Sequence, residues 1–446
     1  MSETVKKNPQ RFLFTRKWQS VAIVFLMVMT ICLRLGVIIK LSHELLEDRD
    51  AYLRIARDVA AGRGYCDTDI SKPTAYRPPF YPLVLAFFMS FNAGLLGVAF
   101  VNIVSGSVTV WATWRIGNYL KLGDWSLFAA LLVAVDPLLL RYASMPMTET
   151  FFTMLVTLLF LAITFASSHT APPSQKTKFG IGLLFGLTAL CRPTIWAFGG
   201  LMFLAWLGKQ LWEWKTTGVS FRSVAQQIPV WVLLGIAVVI SPWVIRNAIS
   251  MRSPVIMTTH GGYTLLLGNN PYFWNDVVKK PWGTTWSEQG LLRWQKSVKD
   301  ALEQENPPLV SETAVGNWKT RRAIANIKKY PRDFLQASWF RVRRFWNIQP
   351  QGNAASRVPR FVLLAIQFYY IFIFAILIIG TYSLFRNKQW NGMPLLLLIL
   401  SLTIVHTVFW SNARMRIPLV PAISLIGAYG LMQIAILFCK RNPTTA

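Results

Sequence analysis

The sequence predicts an all-α, polytopic membrane protein with about ten transmembrane helices, and three observations carry that expectation. Apolar runs long enough to cross a hydrocarbon core of about 30 Å recur from end to end. The 446 residues are 53% hydrophobic, with a mean hydropathy of +0.39, more apolar than a water-soluble domain requires. Tryptophans such as Trp125, Trp243, Trp282 and Trp410 gather where apolar runs turn polar, as they do at bilayer interfaces.

The candidate spans run over 20–41, 94–116, 126–143, 149–167, 178–193, 195–211, 227–246, 361–385, 392–410 and 417–439. The first is too long for a signal-peptide core and has no small-residue cleavage site, so it is expected to be a retained helix. Lys6, Lys7, Arg11, Arg16 and Lys17 precede it, Lys176 and Lys178 enter the fifth span, and Lys440 and Arg441 follow the last. With ten spans these basic flanks share one side, which predicts an integral plasma-membrane protein with both termini cytoplasmic. The chain then divides into an N-terminal transmembrane module, 1–246, with a first outer loop at 42–92, a long extracytoplasmic loop at 247–360, and C-terminal helices at 361–446.

The net charge of +27 is spread over short flanks and the long loop without zinc-finger or RNA-binding spacing, so nucleic acid is not an expected partner. Three of the four cysteines lie in or beside apolar spans, which argues against a disulfide framework. There is no Walker loop or dinucleotide glycine pattern, and no internal repeat of the kind inverted-repeat transporters carry.

The first outer loop holds the densest chemistry. Residues 47–62 have helical period, with Tyr52, Ile55, Ala56 and Val59 on one stripe and Gly62 and Gly64 as a stop. On that wheel Asp48 falls on the inward stripe, four residues before Tyr52, whereas Asp50 falls on the polar face with Arg54. Asp48 is therefore a candidate general base, the alternative being a helix N-cap. Next comes PTAYRPPFYP, stiffened by proline, which fixes Tyr76 and Arg77 at the interface. A guanidinium there suits a phosphate, the alternative being an interfacial arginine reaching for water.

Glu149, Arg192, Arg246, Arg414 and Arg416 lie near the outer ends of spans. Converging, the arginines would make a polyanion site, while singly each could anchor its helix at the headgroups. Glu149 is also placed to cap its own helix. Asn269 and Asn270, in THGGYTLLLGNNP, could hydrogen-bond a hydroxyl-rich ligand. His260 has no second ligand at metal spacing, so no structural zinc is expected.

Taken in order, DRDAYLRIARDVAAGRGY, PTAYRPPFYPLVLAFF, SMPMTETFF, GLLFGLTALCRPT, SPWVIRNAISMRSPVIMTTHGGYTLLLGNNP and ARMRIPLVP resemble the dolichyl-phosphate-mannose-protein mannosyltransferase superfamily, the glycosyltransferase family 39-like enzymes of GT-C fold. The resemblance implies an inverting transferase acting outside the membrane on a polyprenyl-phosphate-linked sugar, with a glycolipid or protein acceptor. It implies Asp48 as catalytic base and Arg77 as a ligand of the donor phosphate, and the arginines near outer helix ends, Arg246 with Arg414 or Arg416, are expected to join it there. Tyr52, Tyr76, Glu149, Arg192, Asn269 and Asn270 are the further site candidates. No cofactor is implied, a divalent cation being compatible but not required. The related lipid A aminoarabinose transferases have Glu-Lys where this chain has Tyr76-Arg77, so lipid A does not follow as the acceptor. A lipid or sugar flippase is the competing class.

Overall fold

The computed structural model describes residues 16–67, 72–217, 229–356 and 358–441, so the basic flank at Lys6, Lys7 and Arg11 lies outside it. Among the described residues, seven helices are long and apolar enough to cross a bilayer: Trp18–Lys40, Gly94–Tyr119, Thr148–Ser167, Val230–Met251, Arg360–Arg386, Trp390–Val408 and Ala413–Cys439. The chain is an all-α, multi-pass membrane protein, as its apolar runs predict.

Length and apolarity alone select fewer than ten spans, for identifiable reasons. The third run is broken into Trp125–Ala134 and Pro137–Ser144, bent by 42°. Pro137 cannot donate to the preceding turn, and Asp136 starts the new helix by accepting from Leu139 N at 2.9 Å. Counted as one span, this pair makes eight. The fifth run forms a helix of only 17 residues, Gln175–Cys191, roughly 26 Å long. The sixth forms Ile195–Thr217, whose second half turns polar at Lys209, Gln210, Glu213 and Lys215.

Gln175–Cys191 lies directly against Val230–Met251 because neither helix has a side chain in the way. A Cβ on Gly182 would overlap the carbonyl of Val232, and one on Gly235 the carbonyl of Phe179. Small residues permit the backbone approach that packs helices in lipid, where the hydrophobic effect offers no drive between them.

The long loop is not a loop but a helical module. Gly261–Gly268, Glu288–Glu303, Glu312–Lys329 and Pro331–Phe345 surround two small cores, one built on Leu265, Leu266, Trp294 and Trp318, the other on Phe273, Trp274, Val277, Ala337 and Phe340. Ser287 and Ser311 cap the middle two helices through Gly290 N and Ala314 N. Arginines pin this module to the spans. Arg341, fully buried, donates to Thr407 O at 2.8 Å and Gly268 O at 2.6 Å. Arg416 donates to Phe345 O and Asn347 O.

Gly182→Leu and Gly235→Leu should each force the two helices apart and lower the stability of the detergent-solubilised protein by about 1–3 kcal/mol. Thermal unfolding followed with a thiol-reactive dye measures this, and Gly200→Leu, where a Cβ meets open space, is the control.

Candidate active site

The loop after the first span begins with a 3₁₀ turn, Ser42–Leu46. Buried Glu44 there takes Arg141 Nη2 at 2.6 Å, which fixes the loop to the break between spans. The expected helix over 47–62 begins only at Tyr52, because Ala51 has φ 64° and turns the chain through the left-handed region. A non-glycine residue there is strained and persists only when its surroundings hold it.

That turn reverses the roles expected for the two aspartates. Asp48 folds back onto the helix start and accepts from Leu53 N at 3.1 Å and Arg54 N at 2.7 Å, satisfying two of its free N–H groups. It does not line the central cavity. Asp50, expected on the outer face with Arg54, instead enters that cavity, and Arg54 pairs with Asp67. The stripe itself is as read: Tyr52, Ile55 and Ala56 are buried, and Tyr52 meets Tyr81 edge-on at 5.3 Å.

The cavity has a volume of about 550 Å³ and lies where the first loop, the start of Thr148–Ser167, the Arg192-Pro193 break and the segment before the last span meet the helical module. Asp50 Oδ1 pairs with Arg77 Nη2 at 2.9 Å and Oδ2 with Arg414 Nη2 at 3.3 Å. Arg77 Nε also donates to the Asp50 main-chain carbonyl at 2.7 Å. Arg414 Nε reaches Glu149 Oε1 at 3.2 Å, and Arg192 Nη1 reaches the same oxygen at 3.3 Å. Arg414 thus sits between the two carboxylates, the place a bridging cation would take. Among the described residues, no group of three or more His, Cys, Asp or Glu side chains converges on a metal-sized site.

The proline arm is held from several directions. Arg77 lies over the rings of Tyr52 and Tyr76 at 5.1 and 5.0 Å, and Tyr65 donates its hydroxyl to Arg77 O at 2.9 Å. Glu312, at the start of its helix, accepts from Thr74 Oγ1 at 2.7 Å and Ala75 N at 3.1 Å, and also from Thr259 Oγ1. Arg246 donates to Thr74 O at 2.8 Å and also to Tyr65 O.

Electrostatics fix the protonation states. Burial opposes ionisation of Asp50, but the guanidiniums of Arg414, Arg77 and Arg192 together outweigh it and hold its carboxyl below the usual range. Burial, with Arg77 close by, pushes His260 well down, so its imidazole is neutral at pH 7. The Tyr76 phenol is pushed up to about 12 by burial and remains a hydrogen-bond donor.

Of the residues read from the sequence, Tyr52, Tyr76, Arg77, Glu149, Arg192 and Arg414 line the cavity. Asp48, Arg246, Arg416, Asn269 and Asn270 do not. Arg246 and Arg416 spend their donors on backbone carbonyls of the first loop and the helical module. Asn269 donates to Leu265 O and Val408 O, both at 2.8 Å, and Asn270 caps the next turn through Phe273 N at 2.8 Å. Asp50, Tyr263, His260, His406 and Trp410 are among the cavity residues that sequence reasoning did not assign to the site. Asp50 left a signal, its two-residue spacing from Asp48, but helical periodicity placed the pair the other way round.

Asp48→Ala should cost about 0.5–2 kcal/mol of stability, the value of a lost helix cap, seen as a lower unfolding temperature in detergent. Glu312→Ala removes the three acceptor contacts on the arm and Thr259, and should speed amide exchange of Ala75 and Tyr76 at least tenfold by hydrogen-exchange mass spectrometry.

No family model and no curated protein matches the chain. Solved structures do. The archaeal oligosaccharyltransferase AglB from Archaeoglobus fulgidus, in complex with an inhibitory peptide and a dolichol-phosphate, superposes with a TM-score of 0.55 at 13% identity over 98% of this chain. The same enzyme tethered to an acceptor peptide gives 0.53 at 13% identity over 96% of the chain. This chain spans about half of that enzyme, 53% and 51% in the two structures. ArnT from Cupriavidus metallidurans bound to undecaprenyl phosphate matches more loosely, with a TM-score of 0.43 at 11% identity over 94% of this chain and 79% of its own. The chain therefore has the GT-C fold of membrane glycosyltransferases.

Proposed function

We propose that the chain transfers a sugar from a polyprenyl-phosphate-linked donor to a glycolipid or protein acceptor at the extracytoplasmic face of the membrane. One observation carries the reading: a carboxylate, Asp50, held between two guanidiniums inside a cavity at the end of a transmembrane bundle. The shared fold with an enzyme solved with dolichol-phosphate supports the donor class. The cavity lies beside Arg192, at the far end of the helix that begins with Lys176 and Lys178, which supports an outward-facing site by the positive-inside rule.

Asp50 takes the role of base that the sequence assigned to Asp48, whose oxygens cap a helix. The acceptor oxygen attacks the anomeric carbon, its proton passes to Asp50, and the bond from that carbon to the phosphate oxygen breaks with inversion. The polyprenyl phosphate departs with the electron pair, and Arg77 and Arg414 stabilise its charge. In the free protein those arginines hold Asp50 as a weak base. A donor phosphate competes for the same N–H groups, so donor binding raises the basicity of Asp50 when the proton must be taken. Tyr76, kept protonated, and neutral His260 add polar contacts for donor or acceptor without adding charge.

Asp50→Asn should lower kcat by about 10²–10⁴-fold in an assay of radiolabelled sugar leaving polyprenyl phosphate, with donor affinity retained. Near-normal transfer by Asp50→Asn, or loss of transfer by a folded Asp48→Asn, would overturn the assignment. Arg77→Ala and Arg414→Ala should weaken donor binding by about tenfold or more, as loss of a charge-assisted hydrogen bond does.

The pH dependence has a defined sign. A base whose pKa is held down stays ionised as pH falls, so the acid limb of kcat/KM should lie below the ordinary aspartate value of about 3.9. Arg77→Ala removes a cation from Asp50 and should move that limb upward.

A further inference from the structure

A second cavity, of about 270 Å³, lies wholly within the helical module. One wall is the face of Glu288–Glu303 that carries Trp294, and the other is the face of Glu312–Lys329 that carries Trp318, Arg322 and Lys329. The last three recur at positions 318, 322 and 329, the spacing of one helical face. The floor is apolar and buried, with Trp294 and Trp318 2% and 7% exposed.

The rim is cationic. Arg322 and Lys329 are exposed, no carboxylate lines the cavity, and neither cation has an ion-pair partner among the described residues. Tyr272 and Tyr330 stand half-open at the mouth, with Lys329 over the Tyr330 ring at 5.3 Å. Aromatic faces beside two unpaired cations, in a volume below the ~300–1,000 Å³ of drug-sized sites, suit one small ring bearing negative charge.

The position of this cavity gives it a use. Leu266 lines it, while Tyr263, Thr264 and Leu267 of the same short helix, Gly261–Gly268, line the reaction cavity. A single helix, about 10–12 Å across with its side chains, therefore separates the two. That thickness corresponds to one or two sugar units.

We propose that this cavity binds an acidic sugar, a uronate or a sugar phosphate, within the acceptor, one or two units from the hydroxyl that attacks. The proposal rests on the transferase reading and adds the acceptor class: a glycan already carrying negative charge. A reaction that installs the acidic sugar must then precede this one.

The test uses the full chain in detergent, following tryptophan fluorescence from Trp294 and Trp318 during titration with glucuronic acid and glucose 6-phosphate. Glucose, inorganic phosphate and glycerol phosphate serve as comparisons. The acidic sugars should bind at least tenfold more tightly than all three, and Arg322→Ala with Lys329→Ala should abolish that preference without lowering the unfolding temperature. Equal binding of glucose would show that charge is irrelevant, equal binding of phosphate a bare anion site, and tighter binding of glycerol phosphate a lipid headgroup site. Each overturns the proposal.

Asp50→Asn separates the two readings, since it should bind acidic sugars as the parent does while failing in transfer. If it transfers normally, the transferase assignment fails, whatever the second cavity binds. If the double variant keeps an unchanged acceptor KM in an otherwise active enzyme, the acceptor proposal fails alone.

Discussion

Arg414 is the interaction on which the site depends, because one guanidinium there bridges two carboxylates from distant parts of the chain. Asp50 comes from the first loop and Glu149 from the start of a span, and Arg77 and Arg192 complete an alternating row of charges. Each charge would be costly alone at this depth, and each is tolerated because its neighbours oppose it. The row fixes the relative positions of four segments that share no backbone hydrogen-bond ladder. It also keeps positive charge beside a cavity.

Six arginines at and around the cavity divide into two groups by what they touch. Arg246, Arg341 and Arg416 end on main-chain carbonyls and serve as staples between spans, first loop and helical module. Arg77, Arg192 and Arg414 end on carboxylates and stay within the cavity. A carbonyl cannot be displaced from a fold without unfolding part of it, whereas a carboxylate partner can be exchanged for a ligand anion. The first group therefore bears on stability and the second on binding, although all six look alike in the sequence.

The membrane class and the helical positions were legible because the bilayer imposes a long apolar period that little else in a sequence imitates. The first loop was recognised as chemically dense for a similar reason, since charges and prolines crowd between apolar runs. What could not be read was direction. A wheel drawn through residues 47–62 assumes unbroken helix, and the left-handed turn at Ala51 leaves no mark in composition or period. The helical module was underestimated because its helices pack on tryptophans in two small cores rather than on a long apolar stripe. For Arg246 and Arg416, proximity to a helix end could not tell whether the guanidinium meets a cavity or a carbonyl, and in the fold each meets carbonyls.

Ala51 makes the reactive geometry hostage to a residue with no chemistry of its own. The left-handed region admits glycine freely and asparagine readily, but a β-branched side chain meets its own backbone there. Valine at this position would push the turn toward an extended path and carry the Asp50 carboxylate out of reach of Arg77 and Arg414, leaving every charged residue in place. Position 51 therefore accepts only small or turn-forming residues, and a branched residue there would undo the pairing of Asp50 with Arg77 and Arg414 while leaving the rest of the scaffold intact.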